Sequence, residues 1–468
     1  MINSSMKNPI YKILFAYFVI AAFTIYYFDG TGDAGDSISH FLFAKYAPHH
    51  PELYFNHWAK PVFVLLASPF AQFGFVGMKI FNALISLLTI FFTYKIAKQL
   101  NLKNAIIVCA ILIFTPVYFA LTFSGLTEPL FALFIALGIY FLLNEKYLAA
   151  CILFSFLPFV RSEGLILLGV IGIYLLAKGK WKSIPWLATG HIIYSFAGYF
   201  VYHDLLWVFR KIPYATMDSV YGHGNLAHFA QQLFYFFGLP IYILFALGLL
   251  SIIWSSIKLK SNYQEQILFF LGFLTFFIAH TLFWYFGIFG SMGLTRVFIA
   301  IMPIMGIIAL KGYNFLSEEI FGKMKIPQLL IKGLFLVAVI VFPFTENHAA
   351  LNFDRDLKLT EDQKAATETA KFIVEHDWKN HRAIYAHPYL GMALNIDPFD
   401  SSKRMELNKG VFNELKYGDI IIWDNLFALN DMKISKEDLD GNSELTSLYN
   451  SHVVENGREI SFSVYVKK

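Results

Sequence analysis

The sequence predicts an all-α polytopic membrane protein that ends in a small α/β domain, and two observations support this prediction. Of the 468 residues, 57% are hydrophobic and only 15% are charged, whereas an ordinary soluble chain has about 25% charged residues. The charges are also uneven, because 36 of the 70 lie in residues 346–468. We therefore expect a membrane domain over residues 1–345 and a soluble domain over residues 346–468.

Apolar runs close to the ~20 residues that span a bilayer divide the first domain into about eleven predicted helices. The runs cover residues 10–28, 77–94, 104–122, 128–143, 147–160, 163–177, 184–203, 232–256, 266–289, 294–311 and 328–345. The stretch 61–76 is apolar but punctuated by Pro and Gly, and we expect it to be re-entrant or interfacial.

Lysine placement predicts the orientation, because cytoplasmic loops are enriched in Lys and Arg. One set of alternate loops holds Lys7, Lys12, Lys95, Lys98, Lys103, Lys146, Lys178, Lys180, Lys182, Lys258, Lys260, Lys311, Lys323 and Lys325. The other set holds Lys45, Lys60, Arg161, Arg210, Lys211 and Arg296. The amino terminus is therefore expected in the cytoplasm and the C-terminal domain outside it, in a multi-pass protein of the inner (plasma) membrane.

Two predicted outer loops, 29–60 and 204–231, are long and rich in Tyr, Phe, Trp and His, which favour the headgroup region. We expect them to be partly helical and to cover a cavity. Most acidic residues of the membrane domain fall on the same side: Asp29, Asp33, Asp36, Glu52, Glu128, Glu163, Asp204 and Asp218. Any chemistry of this domain is therefore expected to face outward.

The C-terminal domain combines a helical pattern near 360–376 with short β-like runs at 382–387, 419–424 and 460–466. It contains no nucleotide, metal or nucleophile motif. A nucleic-acid partner would require a concentrated basic face, and the chain has none.

Several charged residues are candidates for chemistry, although each has an ordinary structural explanation. Asp33 and Asp36 can act as general bases if partly desolvated, or they can belong to a solvated Gly-Asp turn. Lys60, beside His57 and Trp58, can bind a phosphate or snorkel to the interface. Ionisable residues at membrane depth usually face an internal cavity, and four occur where helices meet the outer surface: Glu128, Arg161, Glu163 and Arg296.

Five outward histidines leave a divalent metal open as a cofactor, because imidazole and carboxylate groups are common ligands. They are His49, His50, His57, His223 and His228, and no pair has a recognised ligand spacing. No other cofactor is expected.

Taken together, the motifs resemble the GT-C superfamily of polytopic glycosyltransferases, nearest to the bacterial lipid A aminoarabinose transferases, protein O-mannosyltransferases and related mannosyltransferases. Asp36 and Ala44 match the superfamily motif Asp-Glu-x-x-Tyr-x-x-x-Ala, with Ser37 in place of Glu and His40 in place of Tyr. Lys60-Pro61 resembles the start of the Lys-Pro-Pro donor-phosphate motif.

Three later positions extend the resemblance. Glu128 resembles the acidic residue of the second catalytic loop, and Arg161-Ser162-Glu163-Gly164 resembles the Arg-Pro-Glu-Gly turn of the mannosyltransferases. Arg296, with Pro303 seven residues later, resembles the Arg that opens a late helix.

The resemblance implies inverting transfer of a sugar, a hexose such as mannose by preference, from a polyprenyl-phosphate donor to a lipid, glycan or protein acceptor. Asp36 would be the catalytic base, with Asp33 second. The other implied substrate-binding residues are Lys60, Arg161, Glu163, Glu128, Arg296, His40, Trp58 and His57.

Two alternatives remain open at this point. A transporter or lipid flippase would show inverted repeats and charges near the bilayer midplane, and the chain has no detectable repeat. A surface-polysaccharide ligase or polymerase usually depends on a large outer loop between late helices, whereas the first long polar loop here follows the first helix.

Overall fold

The computed structural model of the protein describes residues 9–214, 219, 221–257, 262–323, 327–345, 347, 349–455 and 457–468. Some residues of the predicted charge pattern lie outside these ranges: Lys7, Asp218, Lys258, Lys260 and Lys325. The chain folds into a helical domain followed by a smaller domain built on a five-stranded sheet. The predicted fold class is confirmed.

Every predicted apolar run in the helical domain is helical in the structure, although several runs are broken. Among the described residues, five helices are long and apolar enough to cross a membrane: Pro9–Tyr27, Gly74–Gln99, Leu239–Ile257, Tyr263–Phe286 and Thr295–Ile320. Shorter α-helices lie between and after them: Ile107–Ile113, Pro116–Thr122, Glu128–Leu143, Tyr147–Phe154, Leu157–Val160, Gly164–Ala177, Thr189–Tyr202, His228–Phe237 and Gln328–Val341.

Proline and glycine account for the breaks that the hydropathy pattern did not reveal. The run 104–122 divides before Pro116, which cannot donate a backbone N–H to the preceding turn. The run 147–160 divides before Pro158, and the run 232–256 divides at Gly238, which has φ +69°. Each break ends a helix short of the length that spans a bilayer.

Both long loops that were predicted on the outer side are partly helical, as expected. The first contains an α-helix, Asp36–Tyr46, and a 3-10 turn, Pro51–Phe55. It leads into the short apolar helix Pro61–Ala71, in the stretch expected to be re-entrant or interfacial. Over its described residues, the second contains the helical turn Trp207–Arg210 and the beginning of the helix His228–Phe237.

The helix Thr295–Ile320 is the most buried of the five spans, and 83% of its apolar 18-residue segment is buried inside the protein. It packs against Leu239–Ile257 at two glycines. A Cβ on Gly248 would lie 1.9 Å from the Ile308 carbonyl oxygen, and one on Gly312 would lie 1.8 Å from that of Leu244. This close packing fixes the helix whose first turn carries Arg296.

The C-terminal sheet contains β1 (Ala383–Tyr385), β2 (Arg404–Glu406), β3 (Ile420–Asp424), β4 (Leu445–Glu455) and β5 (Arg458–Lys467). The strand order is β2-β1-β3-β5-β4, with parallel pairs around β1 and antiparallel pairs around β5. The predicted helix is present at Glu361–Glu375, and β1, β3 and β5 correspond to the predicted runs. β2 and β4 were not predicted, because β2 has only three residues and β4 does not alternate regularly between apolar and polar residues.

The sheet domain lies directly on the first long loop of the helical domain. The Gly30 N–H donates to the Leu357 carbonyl at 2.7 Å, and the Leu359 N–H donates to Asp29 Oδ1 at 3.1 Å. Further along the loop, His50 Nε2 lies 2.9 Å from Asp397 Oδ2. The predicted acidic loop and the C-terminal domain are therefore on the same face of the molecule.

Candidate active site

The acidic loop is folded by one of its own carboxylates. Asp33 Oδ1 accepts the N–H of Gly35 at 3.1 Å and that of Ser37 at 2.8 Å, which starts the helix Asp36–Tyr46. The Thr31 hydroxyl donates to the Asp33 carbonyl at 2.7 Å. This turn places the Asp33 and Asp36 side chains on the same side of the loop.

Arg296 joins this loop to the middle of the chain. Its Nη1 donates to Asp33 Oδ2 and its Nη2 donates to Asp36 Oδ2. Its Nε lies 3.4 Å from Glu128 Oε1. One guanidinium therefore contacts three carboxylates, two from the acidic loop and one from the start of a later helix, a geometry that the planar fork of arginine permits and a lysine ammonium does not.

A second guanidinium continues the network. Arg161 Nη1 lies 2.8 Å from Glu128 Oε1 and donates to the Thr127 hydroxyl at 3.1 Å, while Nη2 donates to Glu163 Oε1 at 2.8 Å. The Glu128 side chain is fully buried, with 0% exposure, and lies between the two arginines. A buried carboxylate needs such partners to remain charged.

Lys60 lies at the edge of the network. Its Nζ donates to the Ser162 hydroxyl at 3.0 Å, and Ser162 lies between Arg161 and Glu163 in the sequence. Its backbone has φ 71°, a conformation that side-chain-bearing residues rarely adopt and that is enriched at functional sites. Burial lowers the pKa of Lys60 to about 8, and the charge of Glu163 offsets part of this effect.

The carboxylates differ in exposure and in acidity. Burial raises the pKa of Asp33, although the charge of Arg296 opposes this change. Burial also acts to raise the pKa of Asp36, but the charge and hydrogen bond of Arg296, together with smaller contributions from neighbouring groups, outweigh it and the net pKa is lowered. Burial acts in the same direction at Glu163, where the charges of Arg161 and of neighbouring cations together lower the pKa to about 2. The Asp36 side chain is 43% exposed and that of Asp33 is 25% exposed, so Asp36 is the more accessible.

Aromatic and imidazole rings form one wall beside the charges. The His40 ring stacks on Trp58 at 4.9 Å between centroids, and Trp58 Nε1 donates to the Tyr214 hydroxyl at 2.8 Å. Burial lowers the pKa of His40 to about 3, so this ring is neutral. His57 lies nearby but turns away, because its Nε2 is 3.0 Å from the Val208 carbonyl oxygen and its ring packs against Trp207.

The structure thus brings together Asp33, Asp36, Glu128, Arg161, Glu163, Arg296 and Lys60, with His40 and Trp58 alongside. Four further side chains hold these groups and were not predicted to do so: Thr127, Ser162, Tyr214 and Gln363. Gln363 is buried in the C-terminal domain, and its Nε2 donates to the Thr31 hydroxyl at 2.7 Å and to the Asp33 carbonyl at 3.3 Å. No local sequence signal could have indicated this contact.

The three carboxylates that converge most closely are neutralised by guanidinium groups. Among the described residues, no group of three His, Cys, Asp or Glu is arranged to hold a metal ion. Of the outward histidines, His50 pairs with Asp397, and His228 Nε2 lies 2.8 Å from the Gly293 carbonyl oxygen. In the described part of the chain, the converging carboxylates are thus paired with guanidinium groups.

Comparison with known proteins supports the fold. Neither a protein-family model nor a curated protein sequence matches the chain. Among solved structures, the fold is similar to the crystal structure of ArnT from Cupriavidus metallidurans in the apo state, with a TM-score of 0.62. The match covers 96% of this chain and 97% of that chain at 14% sequence identity. At this identity the likeness establishes the fold, and the predicted architecture of a polytopic helical domain followed by a small α/β domain is confirmed.

Proposed function

We propose that the protein is an integral-membrane glycosyltransferase that moves a sugar from a polyprenyl-phosphate donor to an acceptor on the face that carries the sheet domain. The observation that carries this proposal is the convergence of four carboxylates and three cations at the exit of the first helix, in a GT-C-like fold. Acceptor deprotonation needs a carboxylate, and departure of a phosphate needs cations.

Asp36 is our choice for the base. It is the more exposed of the two loop aspartates, and its lowered pKa keeps it ionised at neutral pH. In the proposed step, an acceptor hydroxyl transfers its proton to Asp36 and its oxygen attacks the anomeric carbon. The bond from that carbon to the phosphate oxygen breaks, and the electron pair leaves with the polyprenyl phosphate. Inversion at the anomeric carbon follows from this single displacement.

Asp33 remains the second choice, because both of its oxygens are occupied. Oδ1 accepts two backbone N–H groups and Oδ2 accepts from Arg296. Arg296 contacts the carboxylates of Asp33, Asp36 and Glu128, so we assign it a positioning role for Asp33 and Asp36. We therefore assign Lys60 and Arg161 as the cations that stabilise the departing phosphate.

The aromatic wall fits a sugar pocket. Pockets for small molecules combine apolar and aromatic walls with a few fixed polar groups, and the His40–Trp58 stack lies beside the charged network. Trp58 is held by Tyr214, from the second long loop. We expect a hexose such as mannose on the donor and a lipid, glycan or protein acceptor, with the site on the extracytoplasmic face.

The experiment is sugar transfer by the purified protein in lipid, using a panel of radiolabelled polyprenyl-phosphate hexoses and pentoses. Wild type is compared with Asp36→Asn, Asp33→Asn and, as a matched control on another loop, Asp204→Asn. We expect Asp36→Asn to lose about 10²–10⁴-fold in turnover, as when a general base is removed, while Asp204→Asn stays active.

The outcomes separate the alternatives. If Asp33→Asn loses turnover and Asp36→Asn stays active, the catalytic base is Asp33, three residues before Asp36. Absence of turnover with every donor, together with lipid or solute flux across sealed vesicles, would overturn the proposal in favour of a transporter or flippase. Transfer of preassembled glycan instead of a single sugar would favour a ligase or polymerase.

A further inference from the structure

A groove outside the charged network opens where the first helix ends beside the start of the helix Gly74–Gln99. Its volume is about 410 Å³. Tyr26 and Tyr27, both largely exposed, line one wall, and Lys79 and Lys358 are the two cations in its lining. Because two membrane helices end here, the groove lies at the depth where tyrosines favour the headgroup region.

Lys79 has an unusual environment for a lysine. Its side chain is buried, with 3% exposure, and its Nζ donates to the Phe28 carbonyl at 2.8 Å. Within the described part of the chain, no carboxylate forms an ion pair with it. An ammonium has three N–H donors, and this contact uses one of them. The charge at this depth is costly unless an anion compensates it.

The charged residues in the lining of the groove have a net positive charge, because two lysines stand against one aspartate. Lys358 comes from the C-terminal domain and pairs with Asp354 at 2.6 Å, both well exposed, so this pair is weak and easily exchanged. Asp29 also lines the groove, but its Oδ1 already accepts the Leu359 N–H. Lys79 and Lys358 therefore line the groove with Asp29, and the backbone already occupies one oxygen of that carboxylate.

We propose that this groove binds the phosphate group of an anionic bilayer phospholipid. Lys79 contacts a phosphate oxygen from below and Lys358 contacts it from the C-terminal domain, while the tyrosines border the headgroup. Basic pockets between membrane helices bind anionic headgroups in this way. The lipid would join the first helix, the second span and the C-terminal domain at one point.

The test is to count bound phosphatidylglycerol on the full-length protein by native mass spectrometry, from phosphatidylcholine nanodiscs with increasing phosphatidylglycerol content. The variants are Lys79→Gln, whose amide still donates to the Phe28 carbonyl, and Lys358→Gln. The control is Lys98→Gln, an exposed position at the other end of the same helix. We expect about a tenfold loss of apparent affinity in Lys79→Gln, a smaller loss in Lys358→Gln and none in the control.

Equal affinity in all three variants would overturn the proposal. Displacement of the lipid by inorganic phosphate at equal concentration would also overturn it, because the site would then take a free anion. Lys79→Arg keeps the charge, so its binding of phosphatidylglycerol distinguishes loss of the cation from misfolding. None of these readouts depends on sugar transfer, and a failure here is independent of the proposed function.

Discussion

The lowered pKa of Lys60 predicts that donor use falls as the pH rises above about 8. Burial removes water from the ammonium, and the neutral form becomes accessible at a pH where an exposed lysine stays charged. Lys60 is held on Ser162 beside Arg161. If its ammonium binds the donor phosphate, the neutral amine form of the enzyme binds donor poorly.

The magnitude follows from the pKa of about 8. About nine-tenths of Lys60 is protonated at pH 7 and about one-tenth at pH 9, so kcat/KM for the donor should fall about tenfold for each pH unit above 8. A sugar-phosphate diester keeps its charge throughout this range, so the donor adds no titration of its own. The fall in kcat/KM at high pH, the falling limb of the profile, therefore reports the ionisation of Lys60 in the free enzyme.

The assay is kcat/KM for the lipid-linked donor between about pH 6.5 and pH 10, for wild type, Lys60→Arg and Lys45→Arg. The guanidinium stays charged across this range, so the falling limb should disappear in Lys60→Arg. Lys45, which lies in the same loop and donates to Asn395 at 2.8 Å, serves as the control and should keep the wild-type profile. A flat wild-type profile, or the same falling limb in Lys60→Arg, would refute the reasoning.

Three further substitutions test how the network is held. In Arg296→Lys, one ammonium cannot bridge Asp33, Asp36 and Glu128. We therefore expect a lower thermal unfolding midpoint and a loss of about 2 kcal/mol in the free energy of unfolding, because the partial exposure of Asp36 keeps the loss small. An unchanged midpoint would show that the fork is dispensable. Gln363→Ala leaves the Thr31 hydroxyl without its donor, at a cost of about 1–3 kcal/mol, and should speed hydrogen exchange in residues 29–37; equal exchange would contradict this. Gly125→Ala places a Cβ 2.3 Å from the Ser37 carbonyl oxygen and should displace Asp36, lowering kcat about 10²-fold. Gly169→Ala, which meets no atom within 4 Å, is its control, and equal activity of the two variants would count against the positional argument.

The fold class and the set of charged residues could be predicted because each depends on local sequence. Hydropathy alone locates the apolar segments, and a charged residue at membrane depth is conspicuous in any such segment. The helix breaks were less visible, because Pro116 and Gly238 act through backbone geometry that a hydropathy average does not record. β4 was not predicted either, because its sequence LTSLYNSHVVE does not alternate regularly between apolar and polar residues.

The pairing of the site residues could not be predicted. Arg296 was expected to bind phosphate, yet the structure pairs it with residues that lie 263 and 260 positions earlier in the chain. Such a contact depends on how the helices pack, here on the close approach at Gly248 and Gly312, and not on any short motif. His57 is the reverse case: it lies close to Lys60 in the sequence, but its ring nitrogen is held by the Val208 carbonyl oxygen and not by the charged groups.

The contact between the sheet domain and the acidic loop has a consequence for biosynthesis. Thr31 and Gln363 are separated by 332 positions, and Asp29 and Leu359 by 330. The loop is therefore made early, whereas the groups that fix it are among the later parts of the chain to leave the ribosome, and contacts of such long range form late in folding. A nascent or truncated chain would hold its carboxylates in the membrane without the support that orients them. The carboxylates of the loop therefore take their final orientation only after the C-terminal domain has been synthesised.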